Sequence, residues 1–211
     1  MTALATGLAA VLVASALQAS PAAAAPSGAA TKRTEDLIAA FKKVPAETAK
    51  PTKAERAARE RQFATLDGFL DLEYLTDEAI RPSASKLKPD ELARFKSRFS
   101  ELIRLVAYPN SGDFFRKAEL EFLPEKKVSE QVTAVPVKVV VPSEDLETEV
   151  EFHWRATGDA PPRIVDVYFE GDSLVRDYQN QIARLLAKSG TAGLFKALDD
   201  RYAELSGAPA K

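Results

Sequence analysis

The chain contains no cysteine. That excludes disulfides, cysteine-based metal sites and thiol catalysis, while leaving the compartment open, because many exported proteins lack disulfides. A single histidine, His153, has no carboxylate spaced to join it in a metal site, so no metal ligand is expected. Neither sign of charge dominates: 29 Lys and Arg against 31 Asp and Glu give a net charge of -2, with no basic field to attract nucleic acid. There is no G-x-G-x-x-G, no phosphate loop and no G-x-S-x-G elbow, since Val175 stands where that motif needs its last glycine. Nothing assembles a nucleophile, a base and an oxyanion hole, so the expectation is a binding protein with no catalytic residue and no cofactor.

Charge is also missing from the start of the chain. Residues 1–28 carry no charged side chain, and their apolar core, Leu4 to Leu17, is too short for a comfortable membrane span. Small residues follow from Ser20 to Ala25, which predicts a signal peptide over 1–28, cut at about 23–26. No Lys or Arg precedes the apolar run, and no cysteine near the cut could carry a lipoprotein anchor. One domain over 31–206 and a disordered tail over 207–211 complete the expected organisation, with neither an internal repeat nor a second domain.

What is present reads first as helix. Thr34 suits an N-cap, with Leu37, Ile38, Phe41 and Val44 as the apolar stripe behind it. Thr52 and Glu55 form a capping box for a charged second helix ending near Leu66. Its Lys53, Arg56, Arg59 and Arg61 are either a solvated face or a docking surface for headgroups or a partner. A break at Asp67 and Gly68 precedes a helix over Phe69 to Ile80, then a loop to Lys88. From Pro89 to Tyr108 the periodicity is cleanest: Leu92, Phe95, Phe99, Leu102 and Val106 share one side. Pro109 to Gly112 reads as its stop, and Asp113 to Leu123 as a short helix leading into a sheet.

The period then changes to two. Val135, Val137, Val139 and Val141 face one way, and Pro136 within the run suggests an edge or bulged strand. Val150, Phe152 and Trp154 alternate in the next strand, placing His153 on the opposite face. Val165, Val167 and Phe169 alternate in a third, with Asp166, Tyr168 and Glu170 on its other side. Glu170 to Ser173 turns into a helix carrying Tyr178 and Ile182. Gly190 ends that helix, and a last one has Leu194, Phe195, Leu198, Tyr202 and Leu205 as its stripe. Helices, then a small antiparallel sheet, then helices make an α+β arrangement.

The order of these words resembles the MlaC-like, or toluene-tolerance, family of periplasmic phospholipid-binding proteins of the Mla lipid-transport pathway. The residues that carry the likeness are Phe152 and Trp154, then Asp166, Val167, Glu170, Gly171 and Ser173, then Tyr178 and Gly190. The "V-P-V-x-V" word around Pro136 and the helix opening at Pro89 also fit. Asp172 stands where the family has an apolar residue, and Gln179 and Ile182 where it has Arg and Phe. The resemblance implies a cone related to the nuclear transport factor two fold, with an apolar cavity between a curved sheet and the helices. It further implies a monomeric carrier that meets an inner-membrane ABC transporter bearing an MCE-domain protein, and an outer-membrane lipoprotein complex.

A lipid carrier needs a lining nearly as apolar as a bilayer, because burying a methylene is worth about 0.8 kcal/mol. The candidates to line it are Phe95, Phe99, Leu102, Val137, Val139, Phe152, Trp154, Val165, Val167, Phe169, Tyr178 and Ile182. Two other readings remain open. An exported enzyme of the same cone class would need Asp166 or Tyr168 inside the cavity, and an envelope adaptor would have the same apolar residues packed as a filled core.

Overall fold

The computed structural model describes residues 28–46 and 51–206. Apart from Gly28, the expected signal peptide lies outside the described residues, as does the tail over 207–211.

Helix α1 spans Ala29–Lys42 and begins five residues before the expected cap. A distant carboxylate sets its start: Glu125 accepts from the Thr31 backbone N–H at 2.7 Å and from the Thr31 hydroxyl at 2.9 Å, placing an anion at the positive end of the helix. Thr34 is instead fully buried within the helix. Its hydroxyl donates to the Ala30 carbonyl and accepts the Trp154 indole N–H at 2.8 Å, joining α1 to the sheet. Helix α2, Lys53–Asp67, opens on the expected capping box, with the Thr52 N–H donating to Glu55 at 2.6 Å. Only Phe63 and Leu66 of α2 are buried, leaving the basic residues on a predominantly solvated face.

Helix α3 spans Leu72–Ile80 and starts later than expected because Asp71 caps it, accepting from the Tyr74 N–H. Phe69 closes the turn after α2, and Leu70 bridges to Ile164, whose N–H donates to the Phe69 carbonyl at 2.8 Å. Residues 81–86 form a 3-10 turn rather than an open loop.

Helix α4 runs from Pro89 through Lys117, so the expected stop at Pro109 is not one. A proline inside a helix removes one hydrogen bond and bends the axis, but packing can carry the helix past it. Here Gly112 lies so close to α1 that a Cβ would come within 2.8 Å of the Phe41 carbonyl oxygen. Arg116 donates to the Val44 carbonyl at 2.8 Å, and Phe115 stacks on Phe41 with centroids 6.0 Å apart. The short helix expected over Asp113 to Leu123 therefore divides: its first residues finish α4, and Glu119–Phe122 form strand β1.

The remaining strands are β2 (Lys126–Lys127), β3 (Val132–Val141), β4 (Leu146–Thr157), β5 (Ala160–Phe169) and β6 (Asp172–Ser173). They pair antiparallel in the order β1-β3-β4-β5-β6, with β2 also on β3. Strand β3 is thus interior, not an edge. Its Pro136 is tolerated because Leu123 N–H donates to the Pro136 carbonyl, which faces the gap where β1 has ended and β2 has not begun. The proline's missing donor points into that same gap.

Helix α5 covers Leu174–Ser206 and is broken at Gly190, whose φ of +63° suits glycine, as the sequence suggested. Leu194, Phe195 and Leu198 are buried beyond the break. One hydrophobic cluster of described residues joins α1, α3, α4 and α5 to the inner face of the sheet.

Candidate ligand cavity

A cavity of about 450 Å³ opens between the inner face of the sheet and the helices, within the size range of small-molecule sites. Helix α1 contributes Leu37 and Phe41, and the segment around α3 contributes Leu70 and Leu75. Helix α4 supplies two adjacent rows at four-residue spacing, Ile103, Ala107, Ser111 and Phe115 beside Val106, Asn110 and Phe114. Strand β4 adds Leu146, Thr148, Val150 and Phe152; β5 adds Ile164, Val167 and Phe169; α5 adds Leu174 and Tyr178.

Depth and chemistry are correlated in this lining. Nine lining residues are buried, and all nine have hydrocarbon side chains: Leu37, Phe41, Leu70, Leu75, Ile103, Phe115, Val150, Phe152 and Ile164. The polar side chains, Asn110, Ser111, Thr148 and Tyr178, all belong to residues that keep contact with solvent. The opening is edged by two exposed apolar residues, Leu146 at 38% and Phe169 at 45%. Among the described residues no Lys, Arg, Asp or Glu lines the cavity. Burial raises the Tyr178 phenol above its ordinary pKa, with the nearby Asp177 charge adding to the shift, so the group is a neutral donor at any physiological pH.

Four of the twelve residues expected at the site line this space: Phe152, Val167, Phe169 and Tyr178. Val137 and Val139 are fully buried in the sheet, and neither touches the cavity. Phe95 and Phe99 stack on each other at 5.1 Å, and Phe99 meets Tyr178 edge-on at 5.0 Å, so they buttress the wall rather than form it. Leu102, Trp154 and Ile182 likewise belong to the packed cluster. Val165 leaves the expected row for a physical reason: the register shifts between the His153–Asp166 and Trp154–Ile164 pairs, so Val165 is the extra residue of a β-bulge. Ile164 takes its place in the lining.

Sequence reasoning missed the α4 rows from Ile103 to Phe115, Asn110 and Ser111 among them. The signal was available: the four-residue spacing passes through Pro109 without losing phase.

The Asp166-to-Ser173 word proves to be a joint. The Asp166 carboxylate accepts from the Val167 N–H at 2.8 Å, from the Val175 N–H at 3.1 Å and from the Ser173 hydroxyl. Ser173 in turn accepts from the Arg176 N–H, so the first turn of α5 is capped from β5. Glu170, at φ +50°, accepts from the Thr148 hydroxyl and the Glu149 N–H, both at 2.7 Å, and these bonds hold its carboxyl below the usual carboxylate range. Gly171 follows at φ +84°. The enzyme reading required Asp166 or Tyr168 in the cavity, and neither lines it. Tyr168 instead stacks on His153, with ring centroids 4.4 Å apart, and His153 contacts Glu151 at 2.6 Å. Among the described residues no cluster of His, Asp and Glu could hold a metal ion, and no helix is long and apolar enough to cross a membrane.

An α+β fold closed around a hydrocarbon-floored, uncharged cavity defines a class of proteins that enclose apolar ligands. Residues 33–200 match the MlaC protein family, and the chain belongs to that family. Among solved structures it is similar to a phospholipid-binding protein from Ralstonia solanacearum, solved in complex with a phospholipid. The two share 17% identity and a TM-score of 0.61, covering 87% of this chain and 99% of the other. No curated protein matches the chain.

Proposed function

We propose that this protein is an exported phospholipid carrier of the periplasm. It holds acyl chains in the cavity and moves the lipid through water between the inner and outer membranes. The observation that carries the reading is the chemistry of the lining: every buried lining residue is hydrocarbon, no lining side chain is charged, and the four polar ones, Asn110, Ser111, Thr148 and Tyr178, belong to residues that keep some contact with solvent. Such a lining is what a chain of methylenes with a polar end requires, since each methylene left in water costs about 0.8 kcal/mol. Membership of the MlaC family, whose members are lipid-binding carriers rather than enzymes, supports the same reading. So does the lipid-bound state of the Ralstonia solanacearum neighbour.

In this role the chain serves as the binding component of an Mla-type system. It receives or delivers lipid at an inner-membrane ABC transporter with its MCE-domain protein, and at an outer-membrane lipoprotein complex. Removal of a signal peptide near residues 23–26 precedes that role. The decisive test is mass spectrometry of organic extracts from gently purified mature protein, followed by transfer of a labelled phospholipid between donor and acceptor vesicles. Stoichiometric phospholipid and protein-dependent transfer are expected. Protein that is folded, lipid-free and unable to accept lipid from vesicles would overturn the proposal and favour a filled-core adaptor.

A further inference from the structure

The outer part of the cavity is polar in a particular way. Asn110 and Ser111 are consecutive on α4 and both line the cavity. Among the described residues the Asn110 carboxamide and the Ser111 hydroxyl make no hydrogen bond to the protein. Across from α4, the Thr148 hydroxyl donates its proton to Glu170, so toward a ligand it offers an acceptor only. Tyr178 sits elsewhere: it packs on Phe99, eleven residues before Asn110, or about 16 Å along the helix. The free donors at this end of the cavity are thus one amide and one hydroxyl, both neutral, with no cation among the lining residues.

Neutral donors of this kind match carbonyl oxygens. A phosphate bound for its charge would call for Arg or Lys in bonds roughly twice as strong. We infer that Asn110 and Ser111 recognise the ester carbonyls of a glycerolipid, and that the protein selects ester-linked diacyl lipids whatever their headgroup, diacylglycerol included. The inference rests on the carrier reading and adds to it the group by which the ligand is chosen. The acyl chains supply affinity through the hydrocarbon floor, the two donors set how deep the glycerol sits, and the headgroup lies outside the lining.

The test uses delipidated full-length mature protein and competition against a fluorescent fatty-acyl probe. The competitors are dipalmitoyl phosphatidylcholine, dipalmitoyl phosphatidylglycerol, dipalmitoylglycerol, and a dihexadecyl phosphatidylcholine whose chains are ether-linked and carry no carbonyl. The three esters should compete within about threefold of one another. The ether analogue should be weaker by about three- to tenfold, the loss of a neutral hydrogen bond. In the Asn110→Ala, Ser111→Ala double variant the esters should fall to the level of the ether, which itself should be unchanged. The single Asn110→Ala variant, at an exposed helix position, gives the same comparison should the double variant fold poorly. Equal binding of ester and ether by the unaltered protein would overturn the inference, as would a headgroup effect beyond tenfold or a double variant that keeps the ester preference. In each of those outcomes at least one of the lipids still binds and the carrier reading stands; if no lipid competes at all, both fall.

Discussion

Two tryptophan substitutions, one at the cavity and one in the packed sheet, should move stability and lipid content in opposite directions. Ala107 lines the cavity from α4 and is half-buried, so an indole there can enter open space. Leaving alanine costs up to about 0.7 kcal/mol in helix propensity. Burying about half of the 150–250 Å² an aromatic ring can hide returns roughly 2–3 kcal/mol as an upper estimate. Delipidated Ala107→Trp protein should therefore melt at or slightly above the unaltered protein. Val139 is fully buried between Leu120 on β1 and Thr148 on β4, and it is not among the residues that line the cavity. Overpacking there costs about 1–3 kcal/mol, or more for so large a ring. At about 2–4 °C per kcal/mol, Val139→Trp should melt roughly 2–12 °C lower. Scanning calorimetry on stripped protein keeps ligand linkage out of the comparison. Lipid per protein, measured by mass spectrometry after expression, should drop by at least half in Ala107→Trp, while folded Val139→Trp keeps its lipid. An Ala107→Trp protein that melts well below the unaltered one yet carries full lipid would refute the reasoning, because it would mean that α4 packs against a filled core.

Three further outcomes test the joints around the cavity. Thr34→Val removes the acceptor for the buried Trp154 indole N–H and should cost about 1–3 kcal/mol in chemical denaturation while leaving lipid content unchanged. Asp166→Ala removes the acceptor of two backbone N–H groups and the Ser173 hydroxyl, and should cost about 1–2 kcal/mol, with unfolding followed by far-ultraviolet circular dichroism. Glu170 has a folded-state pKa below its ordinary value of 4.5, so its contribution is present above that value and is lost as pH falls through the lower folded value. Melting temperature between about pH 6 and pH 3 should accordingly fall more steeply in the unaltered protein than in Glu170→Gln, and identical slopes would contradict the assignment.

Much of this fold is written in local signals, and the departures share one cause. The capping box at Thr52 and the break at Gly190 depend on neighbours in sequence, and both appear where the residues put them. Thr34, followed by Glu35 and Asp36, has the same local look of a cap, yet Glu125, far along the chain, starts the helix instead. Pro109, Asn110, Ser111 and Gly112 form the most persuasive turn cluster in the chain, and turn formers are the residues with short polar side chains or no side chain. The same properties serve the cavity: Gly112 lets α1 approach α4, and Asn110 and Ser111 bring uncharged donors to the outer part of an apolar pocket. A cavity-lining stretch of helix can thus read as a loop when its few polar groups are also turn formers. What separates the two is phase, since a true turn would reset the period, whereas the rows through Ile103, Ala107, Ser111 and Phe115 keep theirs. The β-bulge at Val165 has no comparable mark, because alternation continues in the letters while the backbone skips a residue, and only the pairing with β4 reveals that Ile164 faces the cavity.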